Sequence, residues 1–194
     1  MLALAASSFA IALACVSLPP EPLQVNLDFG PATTPVAALA LAEAARVWAP
    51  YHVFVQRASG AVEGTGVRVT IADRAPSSTT DARALGSIEF RNGAPVPQIA
   101  LFKERAWEVI CAVAGRSAER WPMSYREMIL GRVLGRALAH ELGHYLLQSK
   151  QHAAAGLMRP SPSIADLMAD GRTAMFLTSE DLAALARGHT TGPM

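Results

Sequence analysis

Apolar residues along this chain follow two periods, which separate predicted strands from predicted helices. Alternation with a period of two predicts short strands. It occurs in residues 23–29, 51–56 and 66–73, and twice within residues 86–102. The last two strands flank Asn92-Gly93, a pair typical of hairpin turns. Pro95 and Pro97 indicate that the second hairpin strand begins irregularly or lies at a sheet edge.

Three segments carry the apolar spacing of ordinary helices. Residues 33–48 are rich in alanine and begin with a threonine cap and Pro35 in the first turn. Residues 102–115 predict a second helix that ends near Gly115. In residues 178–188, Thr178 is a candidate cap, Asp181 follows three residues later, and Gly188 is expected beyond the helix end.

A longer helix is predicted between these segments. Ser124 and Glu127 have the spacing of a capping box, in which each side chain binds a backbone donor at the helix start. Apolar residues then recur at helical spacing to about Leu147 without a proline. Arg132 and Arg136, one turn apart, are interpreted as a solvated or ion-paired face of this helix.

The predicted order is strand, helix, four strands, helix, long helix, irregular stretch and final helix. This order predicts the α+β fold class, with a mixed, twisted sheet and one long helix. The sequence contains no internal repeat and no low-complexity linker, so we expect one domain from residue 22 to residue 194.

The start of the chain is apolar and uncharged. Residues 1–20 carry no charged side chain, and two prolines end the apolar run. The run resembles a secretory signal, with Ala-Leu-Ala at 12–14 as a cleavage site, although the usual positive charge at the start is missing. We therefore expect an exported protein that is periplasmic, secreted or membrane-anchored. It would contact a membrane only if this segment stays uncleaved or Cys15 is lipidated.

Composition and charge exclude several classes of protein. Hydrophobic residues make up 51% of the chain and charged residues 17%, which is typical of a protein with a packed core. The formal net charge of +1 gives no electrostatic basis for nucleic-acid binding. We expect a monomer that acts on a peptide or protein.

The sequence HELGH at residues 140–144 is the strongest chemical signal. On a helix, His140 and His144 project from one face and can hold one zinc ion between them. Glu141 then lies beside the ion, where it can act as general base toward water that the ion acidifies. The competing interpretation is two partly buried histidines on a core helix.

The segment HELGHYLLQSKQHAAAGLMRP (140–160) resembles the active-site segment of metzincin metallopeptidases, the clan that includes matrix metalloproteinases. His140, Glu141 and His144 match the first two ligands and the base of that clan. Met158 resembles the methionine of its Met-turn. The resemblance implies a metzincin-like zincin fold, a Zn²⁺ cofactor, zinc endopeptidase activity, and a substrate extended along a sheet edge within residues 86–102.

The chain departs from this family at two positions. Leu147 occupies the position of the family's glycine, and Lys150 that of its third histidine. An ammonium group has no lone pair for a metal, so we predict His152 as the third ligand. An unbroken helix would carry His152 about 12 Å past His144, so the helix must stop near Leu147 or Gln148 and the chain must turn back.

Other assignments remain open in the sequence. Downstream carboxylates offer an alternative third ligand; they belong to Asp166, Asp170, Glu180 and Asp181. A non-catalytic metal- or peptide-binding domain of the same fold is an alternative function. An exported structural or interaction protein with incidental histidines is another.

Overall fold

The computed structural model describes residues 22–30, 34–58, 66–77, 79, 81 and 83–190. The predicted signal segment and Cys15 lie outside the described residues. The strands are β1 (Leu23–Asp28), β2 (Val53–Arg57), β3 (Gly66–Ala72), β4 (Gly86–Arg91) and β5 (Ala94–Phe102). The helices are α1 (Pro35–Trp48), α2 (Lys103–Ala114), α3 (Met123–Leu146), α4 (Ile164–Met168) and α5 (Ser179–Thr190). Short 3₁₀ turns follow α1 and α2.

The five strands form one mixed sheet in the order β2-β1-β3-β5-β4. The first four strands of this order pair in parallel, and β4 pairs antiparallel with β5 at one edge. The α+β class and the mixed sheet are therefore confirmed. Buried positions alternate along the strands, as in Val25 and Leu27 of β1 and Val67 and Val69 of β3, so one face of the sheet carries the core.

The hairpin of β4 and β5 has the predicted turn. Asn92 and Gly93 both have positive φ, 52° and 85°, as a tight hairpin turn requires. The register of β4 and β5 shifts between Ile88 and Phe90, and β5 pairs with β3 only from Gln98 onward. The irregular start of this strand is thus confirmed, whereas the strand at the sheet edge is β4.

A line of small residues lets α3 lie close to α1. A Cβ on Gly135 would lie 2.6 Å from Glu43 Cβ and 2.7 Å from the Ala40 carbonyl oxygen. A Cβ on Gly131 would overlap Leu39. One turn beyond Gly135, the Ala139 carbonyl accepts a 3.1 Å hydrogen bond from Trp48 Nε1. Because these small residues recur every fourth position, α1 packs along most of α3.

Two predicted helix boundaries were wrong. Helix α3 begins after Pro122, whose carbonyl accepts from the amides of Tyr125 and Arg126, and no side chain caps this end. Ser124 therefore lies inside the first turn, where it cannot cap the helix. Helix α5 continues through Gly188 to Thr190, since one glycine costs a helix only about 1 kcal/mol.

Candidate metal centre

The structure brings His140, His144 and His152 together. One ring nitrogen from each lies within 4.8 Å of those of the other two. The His152 ring stacks on His140 at a centroid distance of 5.3 Å and meets His144 edge-on at 4.9 Å. His140 and His144 come from the last two turns of α3, whereas His152 comes from the loop that follows it.

Backbone carbonyls fix the orientation of the two helical histidines. Nδ1 of His140 donates to the Leu157 carbonyl at 2.8 Å, and Nδ1 of His144 donates to the Ser149 carbonyl at 2.7 Å. A carbonyl can only accept, so each Nδ1 carries the ring proton. In the neutral rings, each Nε2 then keeps a lone pair directed into the cluster.

The loop that brings His152 back begins one residue after the end of α3. Leu147 caps the helix with ordinary right-handed dihedrals, φ −83° and ψ −5°. Gln148 takes the left-handed turn, with φ 50°. The Ser149 amide then donates to the His144 carbonyl at 3.2 Å. The predicted stop near Leu147 or Gln148 is confirmed, and Leu147 is spared the strained conformation.

Burial keeps the two helical histidines neutral. It lowers the pKa of His140 to about 4, and the neighbouring rings of His144 and His152 add to this effect. Burial is also the main cause that lowers the pKa of His144. Neutral imidazole is the form that binds metals, so near neutral pH both residues are ready to act as ligands.

The side chain of Glu141, a residue of α3, faces the edge strand β4. It is only 9% exposed. Burial raises its pKa from 4.5 to about 7, and a hydrogen bond with the Ile88 backbone opposes the rise. A Cβ on Gly86 would lie 3.1 Å from Glu141 Cγ, so the absence of a side chain at position 86 makes room for this carboxyl group.

Met158, the residue that resembles the methionine of the Met-turn, packs against α3 at Gly143. It is 1% exposed. A Cβ on Gly143 would overlap its sulfur and lie 3.0 Å from its Cε. The neighbouring Leu157 supplies the carbonyl that orients His140. Residues 157 and 158 therefore contact α3 at Gly143 and orient His140.

The donor set fits a metal ion such as zinc. Nε2 of His140 and Nε2 of His144 lie 3.2 Å apart. Two nitrogens bound to one tetrahedral zinc at about 2.0–2.1 Å would lie about 3.3 Å from each other. Two lone pairs at this distance repel unless a proton or a cation lies between them. The three histidines can therefore hold a metal ion.

Three of the four alternative ligands are engaged elsewhere. Asp166 binds Arg159 at 2.7 Å, Asp170 binds Arg132 at 2.7 Å, and Asp181 caps α5 through Thr178. Hydrogen bonds from Ser163 and Arg159 lower the pKa of Asp166. Within the described residues, the group that can hold a metal comprises the three histidines alone.

Lys150 and His52 also lie outside this group. Lys150 places its ammonium 5.1 Å from the centre of the Phe90 ring on β4. His52 is exposed and has a positive φ of 58° in the turn between α1 and β2.

The histidines open into a cavity of about 870 Å³. Its lining includes Glu141, Gly86 and Ile88 on one side. The lining also includes Glu108 of α2, Ala137 of α3 and Leu167 of the chain after Met158. The histidine cluster and Glu141 therefore face one common space.

Sequence reasoning missed two contributors to the site. The carbonyls of Ser149 and Leu157 orient the histidines, and backbone atoms carry no sequence signal. Arg136 was interpreted as a solvated or ion-paired surface residue. It is ion-paired, but it is 1% exposed and lines the cavity. The sequence signal that could have revealed this is its spacing of four residues from His140, which places both side chains on one face of the helix.

Neither a protein-family profile nor a curated protein sequence matches this chain. Among the described residues, no helix has both the length and the apolar character needed to cross a membrane.

Proposed function

We propose that this protein is a zinc-dependent endopeptidase of the metzincin type. The observation that carries the proposal is the cluster of three imidazoles, two of them fixed with Nε2 directed inward, next to the buried carboxyl group of Glu141. A domain that only binds metal needs the histidine cluster but has no use for the buried carboxyl group of Glu141.

His140, His144 and His152 would hold the zinc ion. When bound, zinc supplies Lewis-acid chemistry that acidifies water and polarises a carbonyl group. Glu141 is the general base, because its pKa of about 7 lets it take up and release a proton near neutral pH. Its carboxylate accepts a proton from the attacking water and returns it to the leaving amine nitrogen.

The edge strand β4 is the surface on which the peptide would lie. Its inner edge pairs with β5, and its outer edge pairs with no strand among the described residues. An extended peptide can add to such an edge through backbone hydrogen bonds. Ile88 of β4 binds the carboxyl group of Glu141, so a peptide paired there would pass beside the base.

The relation to metzincins rests on the order of elements and the Met-turn. Three features support this relation: the mixed sheet, the long helix that carries His140 and His144, and Met158 packed against that helix at Gly143. The chain differs from metzincins in the loop after α3. Gln148 makes the turn there, and His152 comes two residues later than the third histidine of the family.

We also propose export, on the basis of the uncharged apolar residues 1–20. Expression with the native start should give protein outside the cytoplasm that is shorter by roughly 14 to 20 residues. Full-length protein that stays in the cytoplasm would contradict this.

Metal analysis combined with one substitution tests the function. Purified protein should contain close to one zinc per chain and cleave a mixed peptide library. Glu141→Gln should keep the zinc and lose roughly 10²- to 10⁴-fold in rate, the usual contribution of a general base. Glu108→Gln is the matched control, because Glu108 is an exposed carboxylate that lines the same cavity.

The outcomes separate the alternatives. Zinc without hydrolysis by the wild type would identify a metal-binding domain. Folded wild-type protein that takes up no zinc would leave an interaction protein with incidental histidines. Equal rates for wild type and Glu141→Gln would exclude the mechanism.

A further inference from the structure

Four polar residues lie on one stripe of α3. Arg132, Arg136, His140 and His144 follow one another at intervals of four, so their side chains project from the same face. We call them the anchoring stripe. All four donate to backbone carbonyls of the chain that follows α3. The histidines orient the metal centre in this way, and the arginines bind the chain beyond Met158.

The arginines bind three carbonyls of one short segment. Arg136 donates through Nη1 to the Asp166 carbonyl and through Nη2 to the Gly171 carbonyl at 2.8 Å. Arg132 Nη1 donates to the Met168 carbonyl at 2.8 Å. Helix α4 lies within this segment and is only five residues long. An isolated helix of that length is not stable, so the segment depends on these external contacts for its position.

Glu43 of α1 holds Arg136 from the other side. Its Oε1 accepts from Arg136 Nε at 2.9 Å, and both side chains are almost completely buried. Its Oε2 accepts from Arg172 Nη2 at 3.3 Å. A guanidinium group can serve the carboxylate and two carbonyls at once because its donors point along fixed directions in one plane. Lysine cannot reproduce this arrangement.

The bound segment is one wall of the cavity. Its lining residues are Pro160, Ser161, Pro162, Ser163, Ile164 and Leu167. We call residues 160–171 the pocket wall. Ala137, which follows Arg136 on α3, lines the cavity opposite it. Arg136 therefore bridges α3 and the pocket wall.

We propose that Arg136, held by Glu43, is a positioning residue that fixes the pocket wall and thereby sets which substrate side chain the cavity accepts. This inference rests on the proposed peptidase function for its consequence in specificity. The anchoring itself does not depend on that function.

The test combines a variant pair with two independent measurements. Glu43→Gln/Arg136→Met removes both buried charges together, so that neither is left unpaired. Arg136→Lys keeps the charge and loses the planar donor set, and it serves if the double variant does not fold. Arg126→Met is the matched control, because Arg126 also lies on α3 and donates to two carbonyls, but those belong to Trp121 and Glu119, which do not line the cavity.

The first measurement is amide hydrogen exchange, which needs no activity. The amides of Leu167 and Ala169 are hydrogen-bonded within the pocket wall. Their exchange should accelerate roughly ten- to thirtyfold in the double variant, the effect of losing about two net hydrogen bonds, and less in Arg136→Lys. Exchange equal to that of the wild type in both variants would overturn the proposal.

The second measurement is peptide cleavage over a substrate series that varies one side chain next to the scissile bond. The double variant should raise KM for the preferred side chain and narrow the preference between large and small ones, with kcat changed by less than about twofold and zinc content unchanged. Unaltered selectivity together with a loosened wall would overturn the specificity claim. Faster exchange in a protein that cleaves nothing would keep the anchoring and reject the peptidase.

Discussion

The side chain of Met158 fills the space that any side chain at position 143 would need. A Cβ on Gly143 would overlap the Met158 sulfur, and Met158 is itself fully buried. Gly143→Ala should therefore destabilise the protein by about 1–3 kcal/mol, the usual cost of overpacking a core. Denaturant unfolding of the metal-free protein measures this.

A double-mutant cycle separates the contact from helix propensity. Alanine is favoured over glycine in a helix by about 1 kcal/mol, so Gly143→Ala should be neutral or stabilising when Met158→Ala has removed the overlapping atoms. Equal effects of Gly143→Ala in the two backgrounds would show that the two residues do not interact.

The assignment of the third ligand predicts unequal effects at two nearby residues. His152→Ala should weaken zinc binding by more than the roughly 10- to 100-fold that loss of an outer hydrogen-bond partner costs. Lys150→Ala should change it little, because Lys150 packs over the Phe90 ring outside the histidine cluster. Zinc titration against a competing chelator measures both. If Lys150→Ala weakened zinc binding more than His152→Ala, residue 150 would belong to the metal centre and His152 would be excluded as the third ligand.

The position of the turn predicts opposite effects of glycine at two adjacent residues. Gln148 has φ 50°, so Gln148→Gly relieves backbone strain and should raise stability by up to about 1 kcal/mol. Leu147 has ordinary dihedrals and packs against the core, so Leu147→Gly should lower stability. Thermal unfolding of the two variants checks this. A stabilising Leu147→Gly would place the turn where the family has its glycine.

The raised pKa of Glu141 predicts a pH-dependent loss of stability in the metal-free protein. A pKa raised from 4.5 to about 7 means that the folded state favours the neutral carboxyl group. Its contribution is complete below pH 4.5 and is lost as pH rises through 7. The total is about 3 kcal/mol at 1.36 kcal/mol per pKa unit.

Comparison with Glu141→Gln isolates this contribution. His140, whose pKa is lowered to about 4, has the opposite trend and loses stability as pH falls below 6.5. That trend is common to both proteins and cancels in their difference. Denaturation at a series of pH values should show wild type losing stability relative to the glutamine variant between pH 4.5 and 7. If the difference in unfolding free energy between the two proteins did not change with pH, Glu141 would not be a buried group with a raised pKa.

Much of the fold could be predicted because its signals are local. The Asn92-Gly93 turn and the Thr34 cap of α1 each depend on residues a few positions apart. The start of α3 was misplaced because Ser124 and Glu127 have the spacing of a cap, whereas the chain enters the helix at Pro122. Nothing within four residues distinguishes these two starts.

The site was predictable to the extent that its chemistry lies in side chains. The spacing of His140 and His144, and the need for the helix to stop before His152, follow from helix geometry. The role of Arg136 does not, because its partner Glu43 lies 93 residues away and its other partners are backbone carbonyls. An arginine on a helix predicts a surface residue unless the tertiary contact is known.

Apart from the ion pair between Arg132 and Asp170, the anchoring stripe holds its partner segment through main-chain oxygen atoms. Every amino acid supplies such an oxygen, so substitutions at residues 160–164 change the lining of the cavity without removing these main-chain bonds. Mutational drift at Ser161 or Ile164, which are not buried in the core, can therefore alter what the cavity accepts while the metal centre stays intact. The scaffold is in this sense tolerant of new specificities, and a library randomised at these positions should yield mostly folded, metal-binding proteins.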